Sequence, residues 1–362
     1  MLKIFSFFSG SGFLDLGFES AGFTVDLVNE FNPAFLAAYQ YSRRELGIPE
    51  PQYGYSRDVN EFLGPRSEEL TQHIAEQHQE GNLVGFIGGP PCPDFSIAGK
   101  QRGRDGDNGK LSKSYTDLIR QQQPDFFLFE NVKGLWRTAK HRAFYEEFKK
   151  ELSRSFFLTE RLCNALEFGA PQDRDRILLF GVKKTVARAN HLNIKTFDWT
   201  AHALYNVDEV KAHTWPGTDV FEEDGVRPMP EGVIPELTVE HWFELNDVEH
   251  HPNANHYFQP RGGLPRMMAI EEGDATRKSY KRLHRWRYSP TACYGNNEVH
   301  LHPYRPRRIS AAEAMAIQTL PREFCLPPDM SLSDMFKTIG NGVPFVLARG
   351  IAMSIHDFLP DE

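Results

Sequence analysis

Cysteine is scarce in this chain: four residues in 362, at Cys92, Cys163, Cys293 and Cys325. No two stand at metal-ligand spacing, which argues against zinc and against a disulfide framework, and a reducing cytoplasm fits. No run approaches the ~20 consecutive apolar residues of a membrane span. Residues 2–8 are mostly apolar, but no small-residue cleavage site follows them, so a signal peptide is not expected. Internal repeats are also lacking. Positive charge is in deficit, with a formal net charge of −8, which argues against a protein that coats nucleic acid non-specifically. The charge is unevenly spread. Between 200 and 254 twelve Asp/Glu face two Lys/Arg, whereas between 255 and 310 eleven Lys/Arg face four Asp/Glu. A specific polyanion site and a pair of mutually neutralising solvated faces both fit that pattern.

What is present is ordinary globular composition, long enough for one large or two moderate domains. Residues 1–184 alternate strand-like and helix-like runs: strands at 4–8, 25–28, 83–87, 126–129 and 177–182, helices at 14–21, 33–46, 67–80 and 142–152. This alternation predicts an α/β fold, a doubly wound, mostly parallel, Rossmann-like sheet. Residues 185–304 carry scattered Pro, Gly, His and Trp with no long periodic helix, and predict a second, irregular domain with short strands. Regular patterning resumes over 305–362, with a capping box at Ser310–Glu313 opening a helix to about Gln318 and a last helix over roughly 344–358. This third segment is read as a return to the first domain.

Cys92 stands in Gly88-Gly89-Pro90-Pro91-Cys92-Pro93-Asp94-Phe95-Ser96. Two glycines and two prolines end the preceding strand and stiffen the turn. The thiol is therefore expected at the carboxyl end of a strand, where open α/β sheets place ligands. The run Phe126–Phe129 ends in Glu130-Asn131-Val132 and brings a carboxyl to the same edge. A buried cysteine acting only as a small hydrophobe would leave the rigid turn unexplained. Phe8-Ser9-Gly10-Ser11-Gly12-Phe13 lies between a strand and a helix, the context of a nucleotide turn. Asp15 replaces the third glycine of G-x-G-x-x-G, which favours a cofactor without phosphates over a pyrophosphate. Glu30 ends the second strand, the usual place for a carboxylate on ribose hydroxyls. The glycine turn alone is also compatible with a purely structural β–α turn.

Taken together, these motifs resemble the cytosine carbon-5 DNA methyltransferases, in the family's order and over about two thirds of the chain. Phe8-Ser-Gly-Ser-Gly resembles the cofactor turn, Glu30-Phe31 the acidic–aromatic pair and Asp58-Val59 the adenine-contacting dipeptide. Pro91-Cys92 with Phe95-Ser96 matches the nucleophile loop, and Glu130-Asn131-Val132 the Glu-Asn-Val motif. Gln172-Asp173-Arg174-Asp175-Arg176 matches Gln-x-Arg-x-Arg. Arg308-Ile309-Ser310 through Glu313 and Gln318 resembles the late helix motif, and Gly340-Asn341-Gly342-Val343-Pro344 the closing one. Two departures stand out: Pro93 replaces the usual Gln, and Asp107-Asn108-Gly109-Lys110-Leu111 lacks the Arg common before the glycine.

The resemblance implies S-adenosyl-L-methionine as cofactor, with no metal. Phe8, Gly10, Ser11, Gly12, Phe13, Glu30 and Phe31 are expected around it, with Asp58, Val59, Pro91, Leu111, Asn341 and Val343. Chemistry falls to Cys92, Glu130, Arg174 and Arg176. Carbon 5 of cytosine is a poor nucleophile, so a thiolate adds at carbon 6 and loads carbon 5 with electron density. A protonated Glu130 would assist at ring N3 if burial raises its pKa. Arg174 or Arg176 would bind the cytosine O2 and favour the Cys92 thiolate. The base must leave the duplex stack. Residues 96–113 are Gly-rich and basic and are read as a lid, with Ser96, Lys100, Arg102 and Arg104 against DNA and Lys110 as a further phosphate clamp. Residues 185–304 take the place of the target-recognition domain, with Lys281, Arg282 and Arg285 as DNA contacts and Thr291 near the flipped base. The histidines at 250, 251, 300 and 302 are read as surface-loop residues. The implied partner is double-stranded DNA, with a separate restriction endonuclease and no membrane. The implied protein is a monomer, cytoplasmic and nucleoid-associated through DNA. A tRNA cytosine carbon-5 methyltransferase and a catalytically silent DNA-binding relative carry much the same motifs and remain alternatives. A nicotinamide oxidoreductase fails at Asp15 and leaves Cys92 without a role.

Overall fold

The structure is a computed structural model and describes residues 1–55, 57–91, 107–137, 139–260, 262–294 and 298–360. Its centre is a seven-stranded sheet of β1 (Leu2–Phe7), β2 (Thr24–Asn29), β3 (Tyr53–Tyr55), β4 (Leu83–Gly88), β5 (Phe126–Val132), β6 (Phe156–Asn164) and β7 (Asp175–Lys183), in the order β3-β2-β1-β4-β5-β7-β6. All neighbours are parallel except β7, which runs antiparallel to β5 and β6. The expected doubly wound, mostly parallel sheet is present.

Alternation along the strands splits the core into two layers. Ile4, Ile87, Phe126 and Leu128 point to one face, and Phe5, Phe86, Phe127 and Phe129 to the other. Helices follow as α1 (Phe13–Glu19), α2 (Pro33–Glu45), α3 (Ser67–Gln79), α4 (Asp107–Gln122), α5 (Gly134–Arg137) and α6 (Ala139–Leu152). The remaining helices are α7 (Lys184–Ala189), α8 (Val207–Ala212), α9 (Val239–Leu245), α10 (Leu264–Met268), α11 (Ala311–Ile317), α12 (Leu332–Asn341) and α13 (Phe345–Phe358). Phe18 of α1 and Leu347, Ile351 and Ile355 of α13 cover the first face. Leu70 and Ile74 of α3, Leu118 of α4 and Phe148 of α6 cover the second. The last helix thus packs against the first half of the chain.

Three features depart from expectation. Strand β6 was not foreseen, because Phe157–Leu162 are only half-buried at the sheet edge and lack a continuous apolar signature. Helix α4 begins inside the segment read as a lid: Ser112, Tyr115, Leu118 and Ile119 are buried on its inner side. The region 185–304 has no strand among its described residues, only short helices and isolated bridges such as Asp219 with Glu272 and Arg282 with Leu301. The stretch Leu332–Phe358 is long and apolar enough to cross a membrane. It breaks at 342–344 into α12 and α13, and its buried side chains belong to the core.

Candidate active site

The strand order reverses between β1 and β4, which makes their carboxyl ends the crevice where doubly wound sheets bind ligands. Five motifs reach that edge: the turn after β1, Glu30-Phe31 after β2, Asp58 after β3, Pro90-Pro91 after β4, and Glu130 on β5. Strand β7 reaches it for a different reason. Because β7 runs antiparallel, its beginning lies beside the end of β5, with Val132 opposite Arg176 and Glu130 opposite Leu178. Arg176 is therefore two residues from Glu130's partner, on the same face of the sheet.

Arg176 Nε lies 2.7 Å from Glu130 Oε1, and both side chains are about nine-tenths buried. Burial pushes the Glu130 carboxyl above its ordinary range, and Arg176 and Arg174 offset only part of that rise. The turn after β4 closes over this carboxyl: a Cβ at Gly89 would stand 2.5 Å from Glu130 Oε2. Only glycine admits that approach. Cys92 lies three residues further on, outside the described residues, as do Ser96, Lys100, Arg102 and Arg104.

Arg174 does not share the role expected of it. It is fully buried and donates to the carbonyls of Ala292 (2.9 Å), Gly340 (2.8 Å) and Gly342 (2.9 Å), and to Gln172 Oε1 (3.3 Å). Burial pushes its guanidinium down to about 9, with Arg176 adding to the effect. With four donations directed into protein, Arg174 braces the site, and Arg176 is left as the arginine at the carboxyl.

On the cofactor side, Glu30 Oε2 accepts from Gly10 N and Oε1 from Asn32 N, each at 2.8 Å. Burial raises the Glu30 pKa; the donors at Asn32 and Gly10 and the charge of Lys337 work against it. Each carboxylate oxygen retains room for a further donor. Asn32 caps α2 and Pro33 occupies its first turn, so the chain leaves β2 in a fixed direction and holds Phe31 outward, 71% exposed. Gly10 and Gly12 have φ of +56° and +86°, conformations suited to glycine. Phe8 shares the left-handed region at +56° and sets its ring edge against Tyr115.

The other cofactor candidates divide. Ser11 is buried, with Oγ 2.8 Å from Thr338 Oγ1. The side chains of Phe13 and Val59 are buried in the core; a Cβ at Gly342 would fall 2.2 Å from the Phe13 ring. Asp58 caps the turn Val59–Leu63 through Asn60 N. Pro91 and Leu111 are half-buried, Asn341 exposed and Val343 buried.

The basic stretch of the second region requires the largest correction. Arg282 is wholly buried and donates to the carbonyls of Met267 (2.7 Å), Ile270 (2.9 Å), Arg305 (3.1 Å) and His302. Arg285 pairs with buried Glu272 at 2.9 Å and donates to Gly225 O. Neither guanidinium can face a phosphate. Lys281 is half-buried, and Thr291 donates to Asp173 O at 2.5 Å. His251, His300 and His302 are buried rather than surface residues; burial drives His300 down to about 3. No metal-ligating cluster occurs among the described residues.

Sequence reading missed the brace as a unit. Gln172 Nε2 donates to Gln318 Oε1 at 3.0 Å, and Gln318 Nε2 reaches the carbonyls of Ile339 and Gly342. Gln172 Oε1 also accepts from Ala292 N at 3.0 Å. The signal available was that each motif contains an uncharged amide, a residue that can donate and accept at once.

The family model described as C-5 cytosine-specific DNA methylase matches residues 2–357. The chain is 57% identical over 362 residues to the Type II methyltransferase M.NmeDI of Neisseria meningitidis serogroup C, covering 99% of this chain and 84% of that protein. It is 28% identical over 389 residues to the Type II methyltransferase M.FnuDI of Fusobacterium nucleatum, covering 100% and 96%. Among solved structures, a prophage-encoded E. coli protein assigned as a DNA modification methyltransferase aligns over the whole of both chains, with a TM-score of 0.67 and 21% identity. That likeness shows a shared fold.

Proposed function

The chain belongs to the C-5 cytosine-specific DNA methylase family, and from that premise we propose that it methylates carbon 5 of a cytosine extruded from duplex DNA, with Cys92 as nucleophile. The observation that carries this reading is the buried Glu130–Arg176 pair beneath the glycine turn that leads to Cys92.

Cys92 adds as thiolate to carbon 6, forming a C–S bond while the C5–C6 π pair shifts to carbon 5. Glu130, whose carboxyl burial pushes above its ordinary range, donates in its protonated form to ring N3 and draws charge from the ring. Arg176 fixes the direction of that carboxyl and offers positive charge near the cytosine O2. After methyl transfer, the carbon-5 proton leaves to a base and the C–S electron pair returns to sulfur, restoring the thiolate. The extruded base is needed because carbon 6 is covered within the stack.

The residues at the switch point suit S-adenosyl-L-methionine, whose sulfonium methyl is the electrophile when it is bound. Glu30 has acceptor capacity for ribose hydroxyls, and the exposed Phe31 ring offers a stacking face for adenine. Glu30, which accepts from Gly10 N, sets a carboxylate against the turn and disfavours a pyrophosphate there. Phe8, Gly10, Ser11 and Gly12 supply the turn, with Asp58, Pro91, Leu111, Asn341 and Val343 around it.

Residues 1–184 and 305–362 form the catalytic part of this reading, and 185–304 the target-recognition part, with Thr291 near the flipped base. The likeness to Type II methyltransferases supports a protective role in a restriction–modification system, beside a separately acting endonuclease. The proposed enzyme is a monomer acting on DNA in the cytoplasm, at the nucleoid.

Incubation with labelled methyl donor and either duplex DNA or tRNA tests the proposal. Label in duplex DNA as 5-methylcytosine, lost in Cys92→Ser, is expected; label in tRNA alone contradicts it.

A further inference from the structure

With Arg282 and Arg285 committed to the interior, the cations left to meet DNA lie elsewhere. An open cavity of about 770 Å³ is lined by Tyr257, Phe258, Lys278, Tyr280, Arg308 and Leu332, among others. Tyr280 is its most distinctive wall. Its backbone has φ +60°, a left-handed region that non-glycine residues rarely adopt. Two guanidinium groups lie over its ring, with the Arg266 carbon 5.1 Å from its centroid and the Arg308 carbon 5.4 Å. Strain of this kind collects where a side chain must be aimed.

Exposed positive charge lies beside this ring at Lys278 and Arg266. Arg277, next door, is paired with Asp274 at 3.5 Å. Lys278 and Arg266 are exposed and have no ion-pair partner among the described residues. Glu298 is the sole carboxylate among the described lining residues. The cavity also connects to the braced site: the Phe336 ring contacts Phe258 at 5.4 Å and Tyr294 at 5.7 Å. The Tyr294 backbone in turn packs on Gly340, whose carbonyl Arg174 holds.

We infer that this cleft is a DNA subsite distinct from the base pocket, where Lys278 holds a backbone phosphate and Tyr280, with Arg266 beside it, meets a sugar or base edge of the duplex beside the target. The inference rests on the reading of the chain as a duplex-DNA methylase. An aromatic side chain beside exposed cations is suited to nucleic acid, because the ring gives apolar contact to a sugar or base edge and the cations neutralise phosphate.

The test compares wild type with Lys278→Gln, Tyr280→Leu and Tyr280→Phe, measuring duplex DNA affinity against salt and methyl-transfer rate at saturating DNA. Lys278→Gln should lower the slope of log affinity against log salt by about 1. Tyr280→Leu should weaken binding about tenfold, with Tyr280→Phe close to wild type and the saturated rate unchanged in all three. An unchanged slope for Lys278→Gln, whose exposed side chain can be removed without cost to folding, overturns the subsite while wild-type methylation of duplex DNA keeps the enzymatic reading intact. A rate lost at saturating DNA with affinity unchanged also overturns it. A wild type that leaves duplex DNA unmethylated removes the reading beneath it.

Discussion

The sheet half of this molecule and the irregular half use arginine in opposite ways. In the sheet half, backbone polar groups are consumed by strand ladders and helices, and the apolar layers of β1, β4 and β5 supply the cohesion. Arg176 is then free to sit beside a carboxylate at the sheet edge. The region 185–304 has no ladders among its described residues, so its carbonyls need other partners. Arg282 satisfies three of them and the carbonyl of Arg305 just beyond, Arg285, paired with Glu272, satisfies that of Gly225, and Arg307 pairs with Glu313 at 2.7 Å beside His302. Burial alone would raise the Glu313 pKa, but His302 and Arg307 outweigh it and hold the group well below the carboxylate range. Arginine in an irregular domain thus replaces secondary structure, and a cluster of basic residues in sequence need not be a basic surface.

The contrast can be broken by substitution. Changes at the sheet edge should cost rate and leave folding intact, whereas changes at the buried arginines should cost folding. The largest effect is expected for Cys92→Ala, with turnover lowered by at least ~10⁴-fold and duplex binding retained in a filter or gel assay. Retained methylation would show that the thiol is not the nucleophile.

Glu130→Gln should lower the single-turnover rate by roughly 10²- to 10⁴-fold. The wild-type rate should also depend on Glu130 protonation. Since burial raises this pKa, the competent protonated form persists above the ordinary carboxylate range and the rate falls as pH rises through the raised value. The same shift favours the folded state at low pH, a contribution lost as pH climbs from the unfolded to the folded pKa. A rate profile that rises over that window would reverse the assignment.

Arg285→Met leaves buried Glu272 with only the more distant Arg227, 3.7 Å away, and should destabilise the fold by up to about 3–5 kcal/mol, read by chemical denaturation. A Tm close to wild type with a reduced salt slope of DNA binding would return Arg285 to the DNA surface. The smallest effect is expected at Phe31→Ala. Loss of an exposed stacking ring should weaken S-adenosylmethionine binding about tenfold in calorimetry, with thermal stability unchanged.

Legibility in the sequence follows the same division. The strand–helix alternation before 184 was readable because each strand is buried on both faces and each helix on one. Glu130, Glu30 and the turn at Gly89 were found because their positions follow from strand ends. Strand β6 was hidden by its half-exposed edge position, and α4 by the Gly-rich run preceding it. In the second region no periodicity separates a buried arginine from an exposed one: Arg277 and Lys278 are exposed, whereas Arg282 and Arg285, a few residues on, are sealed. Arg174 and Arg176 illustrate the limit at close range. They are two residues apart, yet one grips carbonyls contributed from as far away as Ala292 and Gly342, and only long-range contacts set them apart.

Covalent trapping on duplex DNA synthesised with 5-fluorocytosine tests the central claim most directly, because fluorine on carbon 5 cannot leave as a proton and the thiol cannot then be released. A complex that survives denaturation, maps by mass spectrometry to Cys92 and forms more slowly in Glu130→Gln is predicted. Attachment at another residue, or a complex that dissociates on denaturation, would contradict it.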